Sequence, residues 1–129
     1  MIISEYLTNI KEYLLTHHVI HSFQIIRERS TLSDGHLRAK ITFTNGDILE
    51  FSKYFHLTFT EKINIVTYSY HWTDKEHNLI VRWDNAPHFP ELTNFPHHVH
   101  EGIENKVSSS TSLDIFNVIK LINQINSNI

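Results

Sequence analysis

The sequence predicts an α+β fold: an antiparallel five-stranded meander sheet with the N- and C-terminal helices on one face. Three observations carry this prediction. Apolar residues recur at helical spacing at both ends of the chain, segments rich in β-branched and aromatic residues lie between them, and the connections between those segments are short. With 129 residues, no internal repeat and no linker-like stretch, residues 1–129 read as one domain.

Ile3, Tyr6, Leu7, Ile10, Tyr13 and Leu14 form one stripe, with Glu5, Lys11 and Glu12 off it, which predicts an amphipathic helix over Ser4–Thr16. The segment His18–Arg29 reads as a first strand and Leu32–Gly35 as a loop. From His36 to Thr44 the alternation is clean, with Leu37, Ala39, Ile41 and Phe43 on one face. Asn45-Gly46 then signals a hairpin, because both residues tolerate the positive φ of a type I′ turn. The return strand, Asp47 to Tyr54, has a register conflict. If Phe43 opposes Ile48, Leu49 and Phe51 fall on the face of Thr42 and Lys40, so either a bulge shifts the register or both faces are partly covered. Ile63–Trp72 and Leu79–Trp83 are the remaining strands, joined by a polar turn over Asp74–Asn78. All three prolines lie between Pro87 and Pro96, so this stretch is neither a helix nor an interior strand. Lys106–Thr111 is a Ser-rich connector. Ile115, Val118, Ile119, Ile122 and Ile125 mark the C-terminal helix, with Ser112 the candidate N-cap and Asp114 near the positive helix end.

Composition narrows the function. An apolar fraction of 40% against 19% charged residues predicts a folded chain. The absence of cysteine excludes disulfides and thiolate metal sites and suits a reducing compartment. A net charge of -3 argues against a polyanion surface built from clustered Lys and Arg, although eleven histidines can add positive charge as pH falls. The N-terminus lacks the basic flank and apolar run of a signal peptide, and no segment is apolar enough to span a bilayer. A cytoplasmic protein without membrane association is the expectation.

The working site is expected on the segment from Trp83 to His100. A loop of this length is usually functional or disordered, and here Phe89, Leu92 and Phe95 can anchor it while the prolines stiffen it. The candidate catalytic residues are His71, Asp84, His88, His97, His98 and His100; Tyr68, Tyr70, Trp72, Arg82 and Asn85 are the candidate substrate-binding residues. Two chemistries suit them. In metal-free acid–base catalysis one imidazole takes a proton from a nucleophile such as a ribose 2′-hydroxyl and another donates to the leaving group, each worth about 10²–10⁴-fold. Arg82 or Lys53 would stabilise charge on a phosphate, Asp84 would hold an imidazole in one tautomer, and Tyr68, Tyr70 or Trp72 would stack a base. This chemistry needs no cofactor. The alternative is zinc or manganese held by two or three of His88, His97, His98 and His100 with Asp84 or Glu91. Pairing the last two strands places Asp84 far from His71, so the loop has to double back over the sheet to join them.

Bland readings stand beside these. His17, His18, His36, His56 and His77 read as solvated polar residues, the strand aromatics as core, and Arg82 with Asp84 as a same-face ion pair worth under about 1 kcal/mol. The His/Pro loop can also be a structural segment, or a docking surface for a protein partner in a chain without catalysis.

Tyr68-Ser-Tyr-His-Trp72, Leu79-Ile-Val-Arg-Trp-Asp-Asn-Ala-Pro-His-Phe-Pro-Glu-Leu92 and Phe95-Pro-His-His-Val-His100 together resemble the TumE family of toxin–antitoxin proteins. That family shows Y-x-Y-H-W, then R-W-D-N-A-P-H-x-P-x-L and F-P-H-H-x-H, in this order. The matching positions are Tyr70, His71, Trp72, Arg82, Trp83, Asp84, Asn85, His88, His97, His98 and His100, whereas Phe89 and Asn94 fall at variable ones. The resemblance implies a prokaryotic toxin neutralised by a helix-turn-helix antitoxin encoded beside it. It carries no catalytic mechanism; ribonuclease action, with RNA as the substrate, is expected from the imidazole-rich segment and from the frequency of RNA targets among small toxins.

Overall fold

A computed structural model describes residues 2–127. The elements run α1 (Ile3–Thr16), β1 (Ile20–Ser30), β2 (Asp34–Phe43), β3 (Ile48–Leu57), β4 (Ile63–Thr73), β5 (Leu79–Asp84), β6 (His98–Glu101), β7 (Val107–Ser109) and α2 (Ile115–Ser127). The sheet is an open antiparallel meander in sequence order. The α+β class and the two terminal helices are as expected, but the sheet has seven strands rather than five. The two extra strands come from residues read as loop and connector. Proline excludes strand only up to Pro96; His98–Glu101 has free N–H groups and pairs with β5, and the polar Val107–Ser109 is tolerable because it forms an edge.

A bulge resolves the register conflict at Asn45-Gly46. Gly46 alone takes a positive φ, 92°, its N–H donates to Phe43 O at 3.0 Å, and the Phe43 N–H donates to Asp47 O at 2.9 Å. The connection is therefore a turn closed by a Gly bulge, not a two-residue type I′ turn. Thr42 opposes Ile48, and Leu49 and Phe51 join Ile41 and Ala39 on one face.

Both helices cover that face. The α1 stripe of Ile3, Tyr6, Leu7, Ile10 and Leu14 and the α2 stripe of Ile115, Val118, Ile119 and Ile122 share one core with Leu37, Phe51, Phe55, Tyr70 and Trp72. Tyr6 meets Phe55 edge-on at 4.8 Å, and Tyr13 of α1 meets Phe116 of α2 at 5.0 Å. Asp114, not Ser112, caps α2: its Oδ1 accepts from the Ile115 N–H at 2.6 Å, and its own N–H donates to Asn117 Oδ1 at 3.0 Å. The same carboxylate reaches into the core, where it pairs with the buried Lys53 ammonium and accepts from the Tyr6 hydroxyl at 2.6 Å. Lys53, weighed above as a phosphate ligand, is thus committed to the helix side of the sheet.

Candidate functional site

The site lies on the sheet face away from the helices. Antiparallel pairing aligns two cross-strand rows there, Lys40–Glu50–His71–Arg82–His100 and Arg38–Ser52–Ser69–Asp84–His98. Alternation along each strand puts both rows on one face. His71 stands opposite Arg82, and Asp84 stops opposite Ser69, two residues away. The expected separation of His71 from Asp84 does not arise, because β5 is shorter than β4 and never reaches the Ile63 end.

Asp84, His98 and His100 form the centre, and all three are buried. Asp84 Oδ1 accepts from the Ala86 N–H at 3.1 Å, and Oδ2 accepts from Arg82 Nε at 3.2 Å. Arg82 also reaches His100 Nε2 at 3.0 Å and Glu104 Oε1 at 3.1 Å. His98 Nε2 sits 2.9 Å from Asp84 Oδ1.

Backbone carbonyls fix the tautomers. His98 Nδ1 lies 2.9 Å from Pro96 O, and His100 Nδ1 lies 2.5 Å from Glu104 O. A carbonyl only accepts, so each Nδ1 carries the hydrogen. Arg82 only donates, so His100 Nε2 presents a lone pair to it and that ring is neutral.

The loop between β5 and β6 folds back over these imidazoles. Phe89 holds a φ of 60°, uncommon for a bulky residue, and packs edge-on to His98 at 5.1 Å and His100 at 6.1 Å. Phe89 anchors as expected, on the imidazoles, whereas Phe95 is 43% exposed. Beside the loop opens a cleft of about 490 Å³ lined by Ser52, Tyr68, Ser69, Arg82, Asp84, Asn85 and His88. A smaller depression of about 220 Å³, sharing Ser52 and Ser69, extends it past His71.

The fold separates the remaining candidates. His97 alternates away from His98, and its Nδ1 lies 2.7 Å from the Tyr68 hydroxyl, on the helix side. His88 is exposed at the cleft rim, so neither joins the buried pair. Tyr70 and Trp72, at 0% and 1% exposure, are core rings with no open face for a base. The Tyr70 hydroxyl donates to Leu113 O at 3.1 Å, and Trp72 Nε1 donates to Asp47 Oδ2 at 3.0 Å. Burial pushes the Tyr68 hydroxyl up to about 12, which keeps it protonated. Asn85 spends its amide on β4, accepting from the Tyr68 N–H and donating to Val66 O, both at 2.9 Å. It extends the β4–β5 pairing by one residue. Glu104 was missed; a lone carboxylate four residues after His100 gives no sequence signal until the β6–β7 turn brings it to Arg82.

The family model described as Toxin TumE matches residues 10–126. The chain belongs to the TumE toxin family. The match runs from the middle of α1 into α2 and includes every residue of the site. Membership makes this chain the toxin component of a toxin–antitoxin system, and such a toxin implies an antitoxin partner. No curated protein and no solved structure matches it. Among the described residues, no helix is long and apolar enough to cross a membrane.

Proposed function

We propose that this TumE-family toxin is a cytoplasmic ribonuclease that works in the cleft beside the β5–β6 loop. One observation carries the reading: Arg82 and Asp84 enter the cleft directly in front of two buried imidazoles, while an exposed imidazole, His88, stands on its rim. In this reading Arg82, with about a third of its side chain open, takes the phosphate. His88 exchanges a proton on one side of the scissile bond, and the Asp84–His98 pair faces the other side. Metal-dependent hydrolysis at the same cluster is the second reading, favoured by the two acceptor atoms, His98 Nε2 and Asp84 Oδ1, that lie 2.9 Å apart there. The antitoxin is of helix-turn-helix type in this proposal, and it inhibits by covering the cleft.

Purified protein is incubated with cellular RNA in EDTA and with added divalent metal. Cleavage is expected to fall about 10²–10⁴-fold in His88→Ala, whose side chain carries no part of the core. Cleavage that persists in EDTA selects the metal-free reading, and cleavage restored only by metal selects the second. Undiminished toxicity of both folded His88→Ala and Arg82→Gln would remove this cleft from the activity.

A further inference from the structure

We infer that Asp84, His98 and His100 form a binding site for one first-row divalent transition ion of the zinc type. The inference concerns the same cleft as the ribonuclease reading but does not need it, because binding is measured without turnover. One carboxylate oxygen and one nitrogen from each ring lie within 4.8 Å of one another, and all three residues are buried.

The hydrogen bonds aim the rings as ligands. Each imidazole gives its Nδ1–H to a backbone carbonyl, Pro96 O for His98 and Glu104 O for His100. A metal-ligating histidine is oriented in this way, with the second nitrogen tied to an acceptor and the first left bare. Both Nε2 atoms then lie close to the Asp84 carboxylate, at 2.9 Å for His98 and 3.8 Å for His100.

The independent observation is His98 Nε2. The residue is 1% exposed, and among the described residues this atom has no hydrogen-bond partner although Asp84 Oδ1 is only 2.9 Å away. The oxygen lies off the direction a hydrogen bond requires. Two ligand atoms about 2.1 Å from one ion lie about 3 Å apart at a right angle and about 3.4 Å apart at the tetrahedral angle that zinc prefers. A shared cation accounts for that close, misdirected approach of two acceptors; without it a buried lone pair is left without a partner beside a carboxylate. Two imidazoles and one carboxylate suit zinc and its imidazole-preferring neighbours better than magnesium or calcium, and they leave coordination positions open towards the cleft.

Arg82 is the competitor. Its guanidinium contacts His100 Nε2 and Asp84 Oδ2, and its other end is held by Glu104. An ion entering the site takes both atoms from it, and the arginine swings onto Glu104. The wider His100–Asp84 gap of 3.8 Å is the side that closes as it leaves.

The full-length protein, stripped with a chelator, is titrated with zinc by calorimetry and with cobalt by NMR. One ion per chain is expected, and the cobalt form should show two exchangeable, hyperfine-shifted imidazole N–H signals from His98 and His100. Affinity should fall at least about tenfold in His98→Ala and be unchanged in His17→Ala, a control for the stacked surface pair His17–His18. Arg82→Gln should bind more tightly than the wild type. The cobalt spectrum uses the unaltered chain, so a variant that fails to fold leaves the test intact. No stoichiometric binding, binding undiminished in folded His98→Ala, or hyperfine shifts assigned to other histidines would overturn the site.

Discussion

Lys53 is 1% exposed on the helix side of β3, and its one charge partner among the described residues is Asp114. Burial pushes its pKa down, and the neighbouring carboxylate pulls it partly back. The two partners are not equivalent. Asp114 keeps a quarter of its side chain in solvent and is held by the Ile115 N–H and the Tyr6 hydroxyl as well, whereas Lys53 has no exposed side-chain surface. Asp114→Ala therefore strands a buried ammonium and deletes a helix cap, and a loss of about 3–5 kcal/mol is expected. Lys53→Met leaves Asp114 bonded and fills the same space, so its cost should be well under half of that. Urea unfolding of the two variants decides it; a larger loss for Lys53→Met would mean that the pair is held mainly from the lysine side. Composition gave no hint of this pair, because a lysine at a strand position reads as solvent-facing until the register turns it inward.

The hairpin between β2 and β3 shows what periodicity can and cannot fix at the scale of elements. Alternation specified which residues of each strand share a face, but the offset between strands depends on one residue in the turn. Only the φ of Gly46 decides between the two registers. The same register brings His36 beside Ser52 Oγ at 3.2 Å, with its Nδ1 buried and without a partner among the described residues. Burial first, then the charges of Arg27 and Arg29 on β1 and Arg38 on β2, lower its pKa below 6.5. The folded ring thus resists a proton that the unfolded chain accepts. Its contribution to stability is complete above about pH 6.5 and is lost as pH falls from there towards the lowered folded value. Between pH 7 and 5.5 the wild type should lose more stability than His36→Gln, as read by urea midpoints at each pH. Equal losses would mean that protonation elsewhere controls acid sensitivity.

The molecule as a whole has two unlike faces, a helix-covered core and a polar face crossed by the β5–β6 loop. The core was legible because its stripes repeat locally. The site was legible only as a region: the sequence located its residue types between Trp83 and His100, but strand alternation sorted them, sending His98 and His100 to Asp84 and His97 to Tyr68. Glu104 and the Phe89 ring became part of it only through long-range pairing. This division predicts that fold and function come apart. Phe89 touches the imidazoles, and Pro87 and His88 lie at the cleft; none of the three belongs to the hydrophobic core. Replacing residues 87–95 with a Gly/Ser segment of equal length should leave both helices and β1–β5 intact, with a lower melting temperature from a less restrained loop and exposed His98 and His100. Growth arrest on expression without an antitoxin should disappear. Circular dichroism with amide exchange reads the first outcome and colony counts the second. Full toxicity in such a folded variant would place the harmful surface elsewhere, with the exposed β1 edge the first alternative to test by charge substitution along that strand.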